Sequence, residues 1–257
     1  MNPTGVDERR HRPGGDRWWS ETWCFEFHCP QGHHSARGRV EGSGVGGYVA
    51  LTLLPTQRRA WYWSALVGPG RPLVTLSDLH VPFGTRTLEI RSEGLWADHI
   101  CEEPMRRWTI GNEAFAVALD DPESALGDAR GTLTPFGVDL EWEATADPEL
   151  IGSGDGYEIA AVVHGEVLVA DERLDITADG RWWHRWGHHS WAPTGDFARR
   201  PHGGTTEGCR RAPIRIETDD EVLALEHDLT PDRWRSWLRP LFPPDDGDRT
   251  RRPPATS

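Results

Sequence analysis

Short alternating runs, stopped again and again by glycine and proline, restrict the fold of this chain more than any other feature. Thr22–Phe27 alternates and ends at Cys29-Pro30-Gln31-Gly32, Gly47–Leu54 ends at Pro55, and Arg59–Val67 ends at Gly68-Pro69-Gly70. Pro72–Leu79 and Thr87–Arg91 extend the series, which resumes after Pro135 with Phe136–Ala144, Tyr157–Val169 and Arg173–Thr177. A period of two sends successive side chains to opposite faces of a strand. Turn signals every roughly 8–12 residues point to a sandwich or barrel. With 28 Gly and 20 Pro in 257 residues, long helices find little room. The expected fold is all-β and antiparallel with little helix. Asp120–Leu126 and Pro231–Leu238 read as short helical turns, and Ile214–Glu217 with Val222–Asp228 as a late hairpin.

Residues 1–17 and 240–257 lack hydrophobic anchors and are expected to be disordered tails. A pause near Leu126–Pro135 divides the remainder into two β-rich halves, 18–133 and 134–239. The formal net charge of −13 opposes a nucleic-acid partner, whose phosphates need a basic footprint, and an anionic membrane surface. No apolar stretch approaches the roughly 20 residues of a membrane span. The four Cys (Cys24, Cys29, Cys101, Cys209) form no CxxC pair, and no secretory signal precedes them, so reduced thiols in a cytoplasmic protein are expected. All 28 basic residues are Arg, which reads as genome composition. Nucleophile-elbow, P-loop and dinucleotide-binding patterns are absent from the sequence.

Arg181–Trp191 packs four Trp, three His and two Arg into eleven residues. As a strand it places Trp182, His184, Trp186 and His188 on one face and Trp183, Arg185, His189 and Trp191 on the other. His184 and His188 would then stand about 13 Å apart, too far to share an ion. No metal and no cofactor are expected, which leaves a Trp-rich core edge or the wall of a ligand pocket. Asp139, Glu141 and Glu143 share one strand face, either solvated or with one carboxylate turned into a barrel as an acid or base. Glu158, His164 and Glu166 share another face, equally suited to a pocket floor or a barrel exterior. In Gly94–Phe115, Cys101 beside His99 makes a nucleophile pair conceivable, although adjacency in sequence does not supply the geometry.

The segments GLWADHICEEPMRRWTIGNEAFAVALDDP, PFGVDLEWE, YEIAAVVHGEVLV and DGRWWHRWGHHSW resemble an actinobacterial family related to the lipocalin-like hydroxyneurosporene synthases (carotenoid 1,2-hydratases) and AttH-like proteins. The resemblance spans about residues 20–230. It implies β-barrel domains around an apolar cavity for an isoprenoid, a steroid or a similar lipid-like molecule. Departures are visible. Ile159 stands where relatives have Gln. Trp183 and Ser190 replace the acids of a pattern like Arg-Asp-His-Ser-Trp-Gly-x-Arg-Asp-Trp, and Arg107 replaces a His before Trp108. The expected ligand contacts are Trp96, Trp108, Glu113, Tyr157, Glu158, His184 and Trp186. In a cofactor-free hydratase, isomerase or cyclase, Glu102, Glu141 or His164 would donate the proton, with Trp faces steadying a developing cation. A plain protein-interaction module using the Trp/Arg surface is the remaining alternative.

Overall fold

Among the described residues the alternating runs become fifteen strands: β1 (Trp19–His28), β2 (Gly46–Leu54), β3 (Arg59–Val67), β4 (Val74–Val81), β5 (Ile90–Ser92), β6 (Leu95–Glu103), β7 (Arg107–Leu119), β8 (Gly131–Ala144), β9 (Glu149–Leu150), β10 (Gly156–Val169), β11 (Glu172–His188), β12 (Arg210–Arg211), β13 (Ile214–Glu217), β14 (Val222–Thr230) and β15 (Arg233–Pro240). The computed structural model describes residues 3–16, 19–29, 45–68, 71–82, 84, 87–120, 130–151, 154–188, 210–211, 214–217, 222–230 and 233–240. Among them the only helical element is a 3-10 turn at Pro55–Gln57.

The pairing order β4-β3-β2-β1-β11-β10-β8-β7 is closed by a β4–β7 contact. Followed around the ring, these eight strands run in chain order, which is the up-and-down antiparallel barrel of the lipocalin type. Closure removes the exposed sheet edges that an open meander would leave. At the seam, β7 bonds β4 through Ala118 and Val117. It gives the rest of that edge, Arg107 to Ala114, to β6. The β5–β6 hairpin therefore widens one end of the barrel. That end carries the start of β1, the start of β7, the start of β10 and the end of β11.

One face of each strand fills the interior. Trp23, Phe25 and Phe27 of β1, Trp108 of β7, Trp142 of β8, Tyr157 of β10 and Trp182 of β11 belong to one buried cluster. The opposite face of β1 to β3 is buried as well, in a second cluster that includes Cys24, Tyr48, Trp61 and Trp63. This accounts for the nearly continuous apolar sequence of β3. β12 to β15 form a separate four-stranded sheet.

The pairing corrects three sequence expectations. The boundary drawn at residues 133/134 lies within β8, which pairs with β7 along its full length. The segments on either side of it thus share one barrel, because hydrogen bonding follows the meander and ignores the pause. Of the helical turn expected at Pro231–Leu238, the described part, Arg233–Leu238, lies in β15, since neighbouring β14 takes up its backbone groups. The N-terminal segment, expected to be disordered, packs on the widened end of the barrel, and Glu8 within it is buried. The helical turn expected at Asp120–Leu126 lies, beyond Asp120, outside the described residues, as does the C-terminal tail after Pro240.

Candidate functional site

Parity along β1 carries a charge into the barrel. Glu21 shares a face with Trp23, Phe25 and Phe27 and is 1% exposed. Residues opposite one another in an antiparallel pair share a face. The register sets Glu21 against Trp186, Trp23 against His184 and Phe25 against Trp182. Tyr157 of β10 flanks His184 from the other side. The widened end is thus ringed by indoles around a carboxylate and an imidazole.

Residues 3–16 cross this end as a strap. Arg10 Nη1 donates to the Gly84 carbonyl at 2.9 Å. Thr56 Oγ1 donates to the Asp16 carbonyl at 3.0 Å. Just before the first of these ties, Glu8 points into the barrel. Its Oε1 accepts from the Met105 amide at 3.1 Å and its Oε2 from Trp108 Nε1 at 3.0 Å. The Tyr157 hydroxyl and the Trp182 indole lie beside this carboxylate and also favour its charged form. Burial pushes the Glu8 carboxyl above its ordinary value, and these donors only partly offset it.

Beside Glu8 lies a second polar group. His11 donates its backbone N–H to Glu21 Oε1 at 2.8 Å, and its Nδ1 is 2.9 Å from the same oxygen. His184 Nε2 is 3.1 Å from that oxygen, and its Nδ1 is 2.8 Å from the Asp7 carbonyl. Both rings are clamped. His184 stacks on Trp23 with centroids 4.2 Å apart, and His11 stacks on Trp186 at 3.7 Å. Burial raises the Glu21 carboxyl, but its contacts with His11 and His184 outweigh it and hold it below the usual range. Burial drives His184 the other way, toward its neutral form. The nitrogens of His11 and His184 and a Glu21 oxygen all lie within 4.8 Å of one another, close enough to hold a metal ion.

Of the residues expected from the sequence, Trp108, Tyr157, His184 and Trp186 converge on this end. The others do not join them. Glu141 and His164 are register partners on the outer face. Glu102 and Glu113 are exposed on β6 and β7. Glu158 is 3.4 Å from Arg181 on the outside. Trp96 is half-buried and donates its indole N–H to Glu89 at 3.1 Å. Burial and the nearby Glu8 and Glu102 push the Cys101 thiol up to about 12, which keeps it protonated and unsuited to attack. Sequence reasoning missed Glu8, His11 and Glu21. Parity with Trp23 and Phe25 was a signal for Glu21, while nothing periodic marks the strap.

His99 of β6 also faces inward, wedged near Phe25 and Tyr62. Its Nδ1 lies 3.2 Å from the Leu88 carbonyl, while Nε2 has no hydrogen-bond partner among the described residues. Burial lowers its pKa to about 4 from an ordinary 6.5. A depressed folded value means that the unfolded chain binds the proton first. The stability this contributes is therefore complete above about pH 6.5 and lost as the pH falls towards 4. The loss amounts to about 3 kcal/mol. Urea midpoints at pH 7 and pH 4.5 should differ more in the wild type than in His99→Asn, and equal differences would exclude His99 as the source.

A profile for a domain of unknown function (DUF7064) matches residues 4–198. No curated protein matches the sequence. Among solved structures, an AttH candidate from Nitrosomonas europaea is similar at 12% identity and a TM-score of 0.43, over 85% of this chain and 68% of that one. CghA, crystallised with Sch210972, is similar at 11% identity and a TM-score of 0.36, over 86% of this chain and 57% of that one. Both are distant likenesses.

Proposed function

The chain belongs to the DUF7064 family, and from the geometry of its barrel we propose that it binds an apolar small molecule with an oxygen-bearing head, in the isoprenoid, steroid or fatty-acid class. One observation carries this reading. Two donors of the barrel wall, the Met105 amide and the Trp108 indole, hold one buried carboxylate with Tyr157 and Trp182 beside it, and that carboxylate belongs to the strap. Glu8 occupies the place that the head of a ligand would take. The surrounding Trp and Phe faces suit an apolar body. Specific small-molecule sites combine an apolar wall with a few convergent polar groups in this way. With Glu8 in place the interior is filled by side chains, so a ligand must compete with the strap. Its apparent affinity is lowered by the fraction of time the strap is docked.

The fluorescent fatty acid cis-parinaric acid tests this. Glu8→Ala, which removes the competing carboxylate, is expected to bind the probe about tenfold more tightly than wild type, about 1.4 kcal/mol. Tyr157→Phe and Trp108→Phe in the Glu8→Ala background should weaken binding again. If Glu8→Ala binds no better than wild type, the strap is not standing in for a ligand.

Catalysis on such a molecule is a second reading, as a cofactor-independent hydratase, isomerase or cyclase. The buried Glu21–His184 contact beside the aromatic wall favours it, and it moves the proton-handling role inward from Glu102, Glu141 and His164. Turnover that survives in Glu141→Gln and His164→Ala but not in Glu21→Gln would support this assignment. Loss in Glu141→Gln or His164→Ala would count against it.

A further inference from the structure

We propose that His11, Glu21 and His184 form a site for one divalent metal ion of the zinc class, which clips the N-terminal strap to the barrel. The proposal stands apart from the ligand reading, since it uses neither of the donors that hold Glu8. The expectation of no metal rested on the Arg181–Trp191 run alone. The site instead takes one ligand from that run, one from β1 and one from the strap.

A carbonyl oxygen has no proton to give, so the His184 Nδ1 atom 2.8 Å from the Asp7 carbonyl carries the hydrogen. In the neutral ring the other nitrogen, Nε2, then directs a lone pair at Glu21 Oε1, 3.1 Å away. Two electron-pair donors at that separation need a cation between them. A proton would satisfy one such contact. Here a third donor, His11 Nδ1, lies 2.9 Å from the same oxygen, and one ion serves all three.

The spacing fits. Zinc–nitrogen and zinc–oxygen bonds of about 2.0–2.1 Å in a tetrahedron set ligand atoms about 3.3 Å apart. The separations of 2.9 and 3.1 Å from Glu21 Oε1 need open by only a few tenths of an ångström, and the two imidazole nitrogens lie within 4.8 Å of each other. Two imidazoles and a carboxylate are a donor set that zinc accepts with a water completing the shell. The outer contacts are also in place. Histidine ligands generally present their second nitrogen to a carbonyl or carboxylate. Asp7 offers both: its carbonyl to His184 Nδ1 and its carboxylate 3.8 Å from His11 Nε2. The backbone N–H of His11 holds Glu21 Oε1 at 2.8 Å, and the indoles of Trp23 and Trp186 fix the two ring planes.

Full-length protein, stripped with a chelator, is titrated with Zn2+ by calorimetry and with Co2+ by visible absorption at neutral pH. One ion per chain is expected, with the Co2+ bands of a four-coordinate nitrogen–oxygen site. His11→Ala and Glu21→Gln should lose this binding, and Asp7→Ala should weaken it about tenfold. His11 is on the rim, so its variant is expected to keep the wild-type circular dichroism, which separates loss of a ligand from loss of fold. Zn2+ should also slow tryptic cleavage at Arg9 and Arg10 in wild type and leave it unchanged in His11→Ala. Absence of binding by folded wild type at micromolar Zn2+ would overturn the proposal. So would equal binding by wild type, His11→Ala and Glu21→Gln, which would place the ion on other histidines. Neither result bears on parinaric acid binding by Glu8→Ala.

Discussion

Trp142→Ala is expected to destabilise the protein by about 3–5 kcal/mol, a large share of the roughly 5–15 kcal/mol that holds a domain folded. Trp142 sits on the inner face of β8 with none of its surface exposed. Its ring meets Phe25 and Phe27 edge-on at 5.4 and 6.4 Å, and its Nε1 donates to the Glu26 carbonyl at 3.1 Å. Gly180 on β11 leaves room for the indole, since a Cβ there would lie 3.2 Å from Trp142 Nε1 and 2.5 Å from the Glu26 carbonyl oxygen. Truncation removes the transfer energy of the indole, leaves a cavity that strands on both sides keep from collapsing, and removes the indole's hydrogen bond to the Glu26 carbonyl. Trp142→Phe keeps most of the volume and should cost markedly less. Urea unfolding measures both, and a loss below about 1 kcal/mol for the alanine variant would mean that the barrel repacks freely.

Glu26→Ala comes next, with an expected cost of about 3 kcal/mol. Glu26 faces away from the barrel interior on β1, in the buried layer shared with Cys24, and is fully buried. It accepts from Arg181 Nε at 2.6 Å and from Trp183 Nε1 at 2.9 Å. Arg181 is the register partner of Glu26 on β11 and reaches on to Glu158 of β10 at 3.4 Å. Removing the carboxylate takes from the guanidinium its nearest counter-charge and from the Trp183 indole its acceptor. The exposed edge of Arg181 keeps the cost at the lower end of the range for buried pairs. Glu26→Gln retains an acceptor for Trp183 and should recover part of the loss. The double variant Glu26→Leu/Arg181→Leu should be more stable than Glu26→Leu alone, because a guanidinium deprived of its nearest counter-charge costs more than an apolar pair. A Glu26→Ala protein as stable as wild type would show that water takes over the role of the carboxylate.

The Arg181–Trp191 run shows how far the sequence reaches. Alternation alone put Trp182, His184 and Trp186 on one face and Trp183 and Arg185 on the other. In the barrel the first three point inward and Trp183 joins the Glu26 layer outside. The same parity made Glu141 and His164 ambiguous, because period two separates two faces without saying which is inner. Leu140 and Trp142, buried between outward Asp139, Glu141 and Glu143, decide that question for β8.

The sequence by itself determined the strands, their antiparallel all-β class and the pairing of side chains into faces, since these follow from a two-residue repeat and from turn residues read locally. Only the tertiary structure decided that the strands close into one barrel and that a polar N-terminal segment seals its wide end. The strap has no periodicity of its own and is held by side-chain bonds to partners far away in the chain, such as Trp108 for Glu8 at a separation of 100 residues. His184 meets Glu21 across 163 residues in the same way. Contacts of that kind depend on closure of the barrel, so no local pattern announces them.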